Sequence, residues 1–187
     1  MIDVLSYPRS GNHLVRYLIE YLTGSATAGC EGNPDDTFIC HRKDVQLLSH
    51  INSQNIVTKK YHFASHIAAP SDKLIFILRS PLECCYSHGT PGVSTEALHT
   101  ALKQYSKNVE YFHAFTNPKL FISYEELVHY NTEHTIFRLH MFLEALSNAA
   151  RYEHLIANLD RFLDDARHST LRHPISSSPC HYTNLLE

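Results

Sequence analysis

The stretch that most restricts the fold is "KLIFILR" (Lys73–Arg79), an unbroken apolar run between two cations. A strand with one wet face alternates polar and apolar residues. A short continuous run of this kind reads instead as a strand buried on both faces, as in a parallel sheet covered by helices. Arg79 would then emerge at the carboxyl end of that strand, and Pro81 suits the first turn of a following helix.

The rest of the chain has the elements such a sheet needs. Ile2 to Tyr7 reads as a short strand ended by Pro8. A helix is expected from Asn12 to Thr23, with Leu14, Val15, Leu18, Ile19 and Leu22 on a common face and Gly24 at its C-terminal cap. Residues 29–36 are loop-like, and 41–50 are expected to form a short helix carrying Val45, Leu47 and Leu48. Asn55–Lys60 is a second candidate strand. Further expectations are a long helix over 94–115, a strand running into a helix over 119–127, and helical patterns through most of 132–167. The stretch from Ser169 onward, rich in Ser, Pro and His, reads as an irregular tail. Strands alternate with helices, and neither repeats nor a linker interrupt them. The expected fold is α/β, a three-layer α/β/α domain spanning 1–187 with a mostly parallel central sheet.

Between the first strand and its helix lies "SYPRSGNH" (Ser6–His13). In a strand–loop–helix unit the loop amides and the positive end of the helix dipole face one point, which favours phosphate or sulfate. Gly11 would let the backbone approach closely, Ser10 and Asn12 add side-chain hydrogen bonds, and Arg9 adds a permanent charge with a fork of donors. The alternative is a Ser-Gly turn that caps the helix, with Arg9 solvated. The loop is not a Walker A motif, because G-x-x-x-x-G-K-[ST] is absent.

Composition narrows the function classes. Apolar residues make up 43% and charged residues 19%, as in an ordinary globular domain. A net charge of −3 gives no bulk attraction for nucleic acid or an anionic membrane, so neither is expected as a partner. No apolar stretch approaches the ~20 residues that cross a bilayer. A loop beginning at Ser6 leaves no room for a signal peptide, so the expected location is the cytoplasm. The 5 Cys are odd in number and lack C-x-x-C spacing, which suits reduced thiols. The 15 His include no H-E-x-x-H and no paired Cys/His pattern, so scattered histidines rather than a metal site are expected. Cys84 and Cys85 stand near a helix start, but the C-x5-R loop of a cysteine phosphatase is missing. The acidic pairs Asp35–Asp36, Glu125–Glu126 and Asp164–Asp165 read most simply as solvated faces.

"SYPRSGNHLVRYL" resembles the 5′-phosphosulfate loop of sulfotransferases that use 3′-phosphoadenosine 5′-phosphosulfate (PAPS), whose pattern is close to [FY]-P-[KR]-[ST]-G-[TN]. "LIFILRSPLECCYSHG" (Leu74–Gly89) is similar to that family's 3′-phosphate motif, a buried strand leading to Arg, then Pro, then a Ser eight residues after the Arg. Arg79, Pro81 and Ser87 stand at those places. "VTKKYHFAS" (Val57–Ser65) resembles the family's K-x-H segment through Lys60 and His62, and "SYEEL" (Ser123–Leu127) its Y-E-[DE]-L. The four matches keep the family's order over about two thirds of the chain. Departures are Leu14 where an adenine-stacking Trp is frequent (the chain has 0 Trp), His13 where Thr or Ser is common, and no late R-K-G segment; Arg172 is its nearest substitute.

The resemblance implies a P-loop-like sulfotransferase fold and a metal-free transfer of a sulfuryl group from PAPS to a hydroxyl or amine of a small-molecule or glycan acceptor. It implies that Arg9, Ser10, Gly11, Asn12 and His13 hold the 5′-phosphosulfate and that Arg79 and Ser87 hold the 3′-phosphate. Tyr124 would approach adenine, Lys60 would bear on the transferring group, and His62 would act as base; histidine as a type changes charge near neutrality. Two other expectations remain open: a nucleotide-binding module of the same fold without transferase activity, and a kinase-like phosphotransferase requiring Mg²⁺ and ATP.

Overall fold

The computed structural model describes residues 1–29, 38–42, 44–87 and 94–168. The tail expected from Ser169, Arg172 within it, and most of the loop expected over 29–36 lie outside the described residues. Five strands, β1 (Ile2–Ser6), β2 (Ser25–Ala28), β3 (Asn52–Tyr61), β4 (Lys73–Leu78) and β5 (Lys119–Ser123), form one all-parallel sheet in the order β2-β3-β1-β4-β5. The described helices are α1 (Asn12–Thr23), α2 (Pro81–Ser87), α3 (Thr95–Ala114), α4 (Thr132–Leu143), α5 (Ala149–Ala157) and α6 (Leu159–His168).

The apolar run that reads as a doubly buried strand is β4, and its side chains divide between two cores. Ile75 and Ile77 pack with Ile2 and Val4 of β1, Leu120 and Ile122 of β5, and residues of α1, α4, α5 and α6. Leu74 and Phe76 pack on the opposite face with Leu5, Phe121 and the α3 residues Val109, Tyr111 and Phe112. β1, β3, β4 and β5 thus feed both faces through their two-residue period, and helices cover both. The result is an α/β fold with helical layers on either side of the sheet.

Helix α1 begins and ends at two glycines in the left-handed region: Gly11 (φ 87) before it, and Gly24 (φ 70), whose N–H donates to the Glu20 carbonyl at 2.9 Å. Two elements differ from the sequence expectation. β2, "SATA", is an unforeseen strand at the sheet edge, paired to β3 with register shifts. The helix expected over 41–50 is replaced by a 3-10 turn at Ile39–His41 followed by turns. Its apolar residues Val45 and Leu48 are buried nonetheless. The amides of Gln46 and Leu47 donate to the Asp165 carboxylate of α6 at 2.9 and 3.1 Å, so a side chain takes the role of helical acceptors. The stretch 132–167, expected to be mostly helical, comprises α4, α5 and α6; Glu144 at φ 49 follows the first, and the Asn148 side chain caps α5 by accepting from the Arg151 N–H at 3.1 Å.

The sheet order fixes where a ligand can sit. From β1 the chain leaves toward β2, and from β4 it leaves the other way toward β5. β1 and β4 are neighbours, so their carboxyl ends bound a crevice at the point where the winding reverses, the usual ligand position in an open parallel sheet.

Candidate functional site

The loop after β1 is a tight turn. Ser10 N–H donates to the Tyr7 carbonyl at 3.2 Å, with Pro8 and Arg9 between them. Arg9 has φ 68, the left-handed conformation a type II turn requires at its third residue and that glycine or asparagine ordinarily supplies. Its side chain is exposed, with no hydrogen bond or ion pair among the described residues. Gly11 then precedes α1 without a side-chain cap, so the first-turn amides of that helix, from Asn12 and His13 on, lack an intrahelical acceptor. A Cβ added at Gly11 would overlap the Tyr124 ring, so the loop and Tyr124 are in close contact.

The other wall of the crevice follows β4. Arg79 donates through Nε to a Glu83 carboxylate oxygen at 3.0 Å and through Nη1 to the Arg9 carbonyl at 3.0 Å. Its guanidinium centre lies 4.6 Å from the centroid of the Tyr124 ring. The Arg79 carbonyl accepts from the Tyr105 hydroxyl at 2.8 Å, and Ser80 N–H donates to Glu125 at 3.0 Å. Burial pushes the Glu125 carboxyl up, but hydrogen bonds from the Ser80 amide, its own amide and the Ser123 hydroxyl, with the Arg79 charge, outweigh this and hold it below the ordinary value. Burial, then the neighbouring Cys84 and Glu125, push the Tyr105 phenol upward, which keeps it a neutral donor.

Arg9, Gly11, Arg79 and Tyr124, drawn from three separate motifs, therefore meet directly. Ser10 is fully buried, its hydroxyl 3.3 Å from the Cys84 sulfur, so it ties the loop to α2 rather than facing outward. Asn12 is likewise buried and donates to the Ser6 hydroxyl at 2.9 Å, while its Oδ1 is buried without a partner. His13 lies in the first turn of α1. Ser87 is exposed at the end of α2, and its hydroxyl donates to the Glu83 carbonyl of its own helix at 2.8 Å, so the structure does not join it to Arg79.

On the opposite side of β1, Lys60 is buried in β3 beside Val4, and His62 follows directly. His62 Nδ1 lies 3.1 Å from the Ser6 carbonyl. A carbonyl can only accept, so Nδ1 is protonated and donates to it. Asn108 of α3, buried, donates to the His62 carbonyl at 2.9 Å and accepts from the Ala64 N–H at 2.9 Å, which clamps the backbone around the histidine.

Four contributors escaped the sequence reading: Glu83, Tyr105, Asn108 and Glu125. Glu83 was legible as a carboxylate one helical turn after Arg79. Glu125, which in the sequence reads as a solvated acid, is instead the anchor of Ser80. Tyr105 and Asn108 reach the site only because α3 packs across the sheet, which no local pattern announces. Among the described residues no group of three His, Cys, Asp or Glu is placed to hold a metal, and no helix is long and apolar enough to cross a membrane. Neither a protein-family model nor a curated protein matches the chain.

Proposed function

We propose that the chain is a cytoplasmic, PAPS-dependent sulfotransferase acting on a hydroxyl or amine of a small-molecule or glycan acceptor. One contact carries the reading: the Arg79–Arg9 hydrogen bond, which brings motifs 70 residues apart to one crevice. A nucleotide with a phosphate at both its 3′ and 5′ positions needs two cationic groups so joined.

The residues present fit such a donor. The exposed Arg9 guanidinium, the close backbone approach at Gly11 and the amides opening α1 suit a 5′-phosphate, and the Arg79 edge not taken by Glu83 and the Arg9 carbonyl suits a second phosphate. Bound there, PAPS would supply the sulfuryl group and a phosphate leaving group. Arg9 and the loop amides would neutralise charge on that phosphate from fixed positions, the largest electrostatic contribution available to the site. His62, with Nδ1–H committed to Ser6, would accept the acceptor's proton at Nε2. Lys60 would bear on the transferring group. Arg79, with Ser87 once its hydroxyl turns from the Glu83 carbonyl, would select nucleotides bearing a 3′-phosphate, and Tyr124 would flank the adenine.

A second reading, a binding module without transferase activity, is favoured by the hydroxyls of Ser10 and Ser87, both turned to protein partners. Calorimetric titration with 3′-phosphoadenosine 5′-phosphate, with AMP as control, tests the shared nucleotide site. Micromolar binding with AMP at least tenfold weaker (about 1.4 kcal/mol) is expected, and equal or absent binding withdraws the assignment. His62→Ala separates the two readings: an enzyme loses turnover and keeps nucleotide affinity, whereas a binding module has no turnover to lose.

A further inference from the structure

The third residue of the loop turn is an arginine in a left-handed conformation, a place where a side chain with a Cβ is strained. Such a turn persists only if its surroundings hold it. The Arg9 carbonyl accepts the Arg79 Nη1–H at 3.0 Å, and Arg79 is itself fixed from several sides. Glu83 holds Nε, Tyr124 covers the guanidinium face, Tyr105 holds the Arg79 carbonyl, and Glu125 holds the next amide. These groups come from α2, α3 and the segment after β5. The direction of the Arg79 fork is therefore set by the protein before any ligand arrives.

We propose that Arg79 is a positioning residue for the Tyr7–Gly11 loop as well as a partner of the 3′-phosphate: through the Arg9 carbonyl it holds the left-handed turn that aims the first amides of α1 at the 5′-phosphate. The two anion subsites then share one brace. Ligands that carry only a 5′-phosphate, and never reach the 3′ subsite, depend on Arg79 too. The proposal rests on the PAPS reading for its ligand test, while its ligand-free test stands alone.

Arg79→Lys keeps the charge and removes the fork. In the ligand-free protein, Ser10 amide hydrogen exchange, which reports the turn bond to Tyr7, is expected to quicken at least tenfold, with amide rates in α3 and β5 unchanged. An unchanged Ser10 rate overturns the brace. In an Arg9→Gly background, where glycine adopts the turn without strain, adding Arg79→Lys should change the Ser10 rate by less than about twofold. If Arg79→Lys does not fold, Glu83→Gln, which loosens the fork from its other end, should quicken Ser10 exchange at least threefold, and an unchanged rate again overturns the proposal. With ligand, Arg79→Lys should weaken AMP at least fivefold. Retained AMP affinity alongside lost 3′-phosphoadenosine 5′-phosphate affinity would reduce Arg79 to a 3′ clamp and overturn the brace. If the wild-type protein binds neither nucleotide, the PAPS reading falls, and Ser10 exchange alone decides the brace.

Discussion

Helix α1 carries two charged clusters that obey opposite rules. In its middle, Arg16 and Glu20, one turn apart, are fully buried. Arg16 donates to the Thr27 hydroxyl at 2.9 Å and to its carbonyl at 2.6 Å. Glu20 accepts from the Thr27 amide and hydroxyl and from the amides of Ile39 and Cys40, at 2.6 to 3.1 Å. Before its first turn, Arg9 projects into solvent, and the helix amides have no side-chain cap. The first cluster directs its charges at backbone of the same protein and fastens β2 and the 39–41 turn to α1. The second leaves donors pointing outward. A buried polar network closed on itself specifies a fold, whereas the donors at the crevice are those the proposed nucleotide would engage.

The largest effect that sharpens this contrast is expected at Glu20. Glu20→Ala strands the Thr27, Ile39 and Cys40 amides and an arginine in the interior, and should cost about 3–5 kcal/mol of stability in a denaturant titration. Arg9→Ala, by contrast, should stay within about 0.5 kcal/mol of the wild type in the same titration. It should nonetheless weaken 3′-phosphoadenosine 5′-phosphate at least tenfold. Comparable stability losses at the two positions would erase the distinction. Next comes Gly11→Ala, which meets both a left-handed backbone and the Tyr124 ring. About 2 kcal/mol is expected from strain and overpacking together, with loss of nucleotide binding.

The smallest effect concerns Cys40, beside the closed network. Burial, then the Glu20 charge and its hydrogen bond, push this thiol up to about 12. The folded state therefore prefers the neutral thiol. The stabilising contribution is complete below the unfolded thiol's value near 9.0 and fades as pH rises from there toward about 12. Peptide-mapped iodoacetamide labelling at pH 8 should find Cys40 alkylated far more slowly than in the urea-unfolded chain. Equal rates would show that neither burial nor Glu20 protects the thiol in the folded chain.

The same contrast explains what could be read from the sequence. β4 and α1 were legible because a continuous apolar run and a 3.6-residue stripe are local signals, and Gly24 marked the C-terminal limit of α1. β2 was not: Ser25–Ala28 has small side chains and four residues, and its strand character comes from Arg16 and Glu20 gripping Thr27 from another element. The helix expected over 41–50 failed for a similar reason, since Asp165 captures its amides from more than a hundred residues away. At the site, the residues that would touch a ligand lie in short contiguous motifs, so Arg9, Gly11, Arg79 and Tyr124 could be named. The residues that hold them, Tyr105, Asn108 and Glu125, act across the tertiary structure. Ser10 and Ser87 were legible as hydroxyls, but the direction each takes is settled by Cys84 and by the backbone of α2.

The strand order also has a kinetic side. β1 pairs with β3 and β4, both made after it, so it has no strand neighbour until the chain has passed Tyr61 and lacks its second until the chain has passed Leu78. Before β3 arrives β1 has only α1, its partner in the same core, to cover it, and loop closure opposes each longer-range encounter. The central strand is thus the earliest of the five in the chain and the one that waits for two later partners, and the crevice between β1 and β4 exists only once the second has arrived.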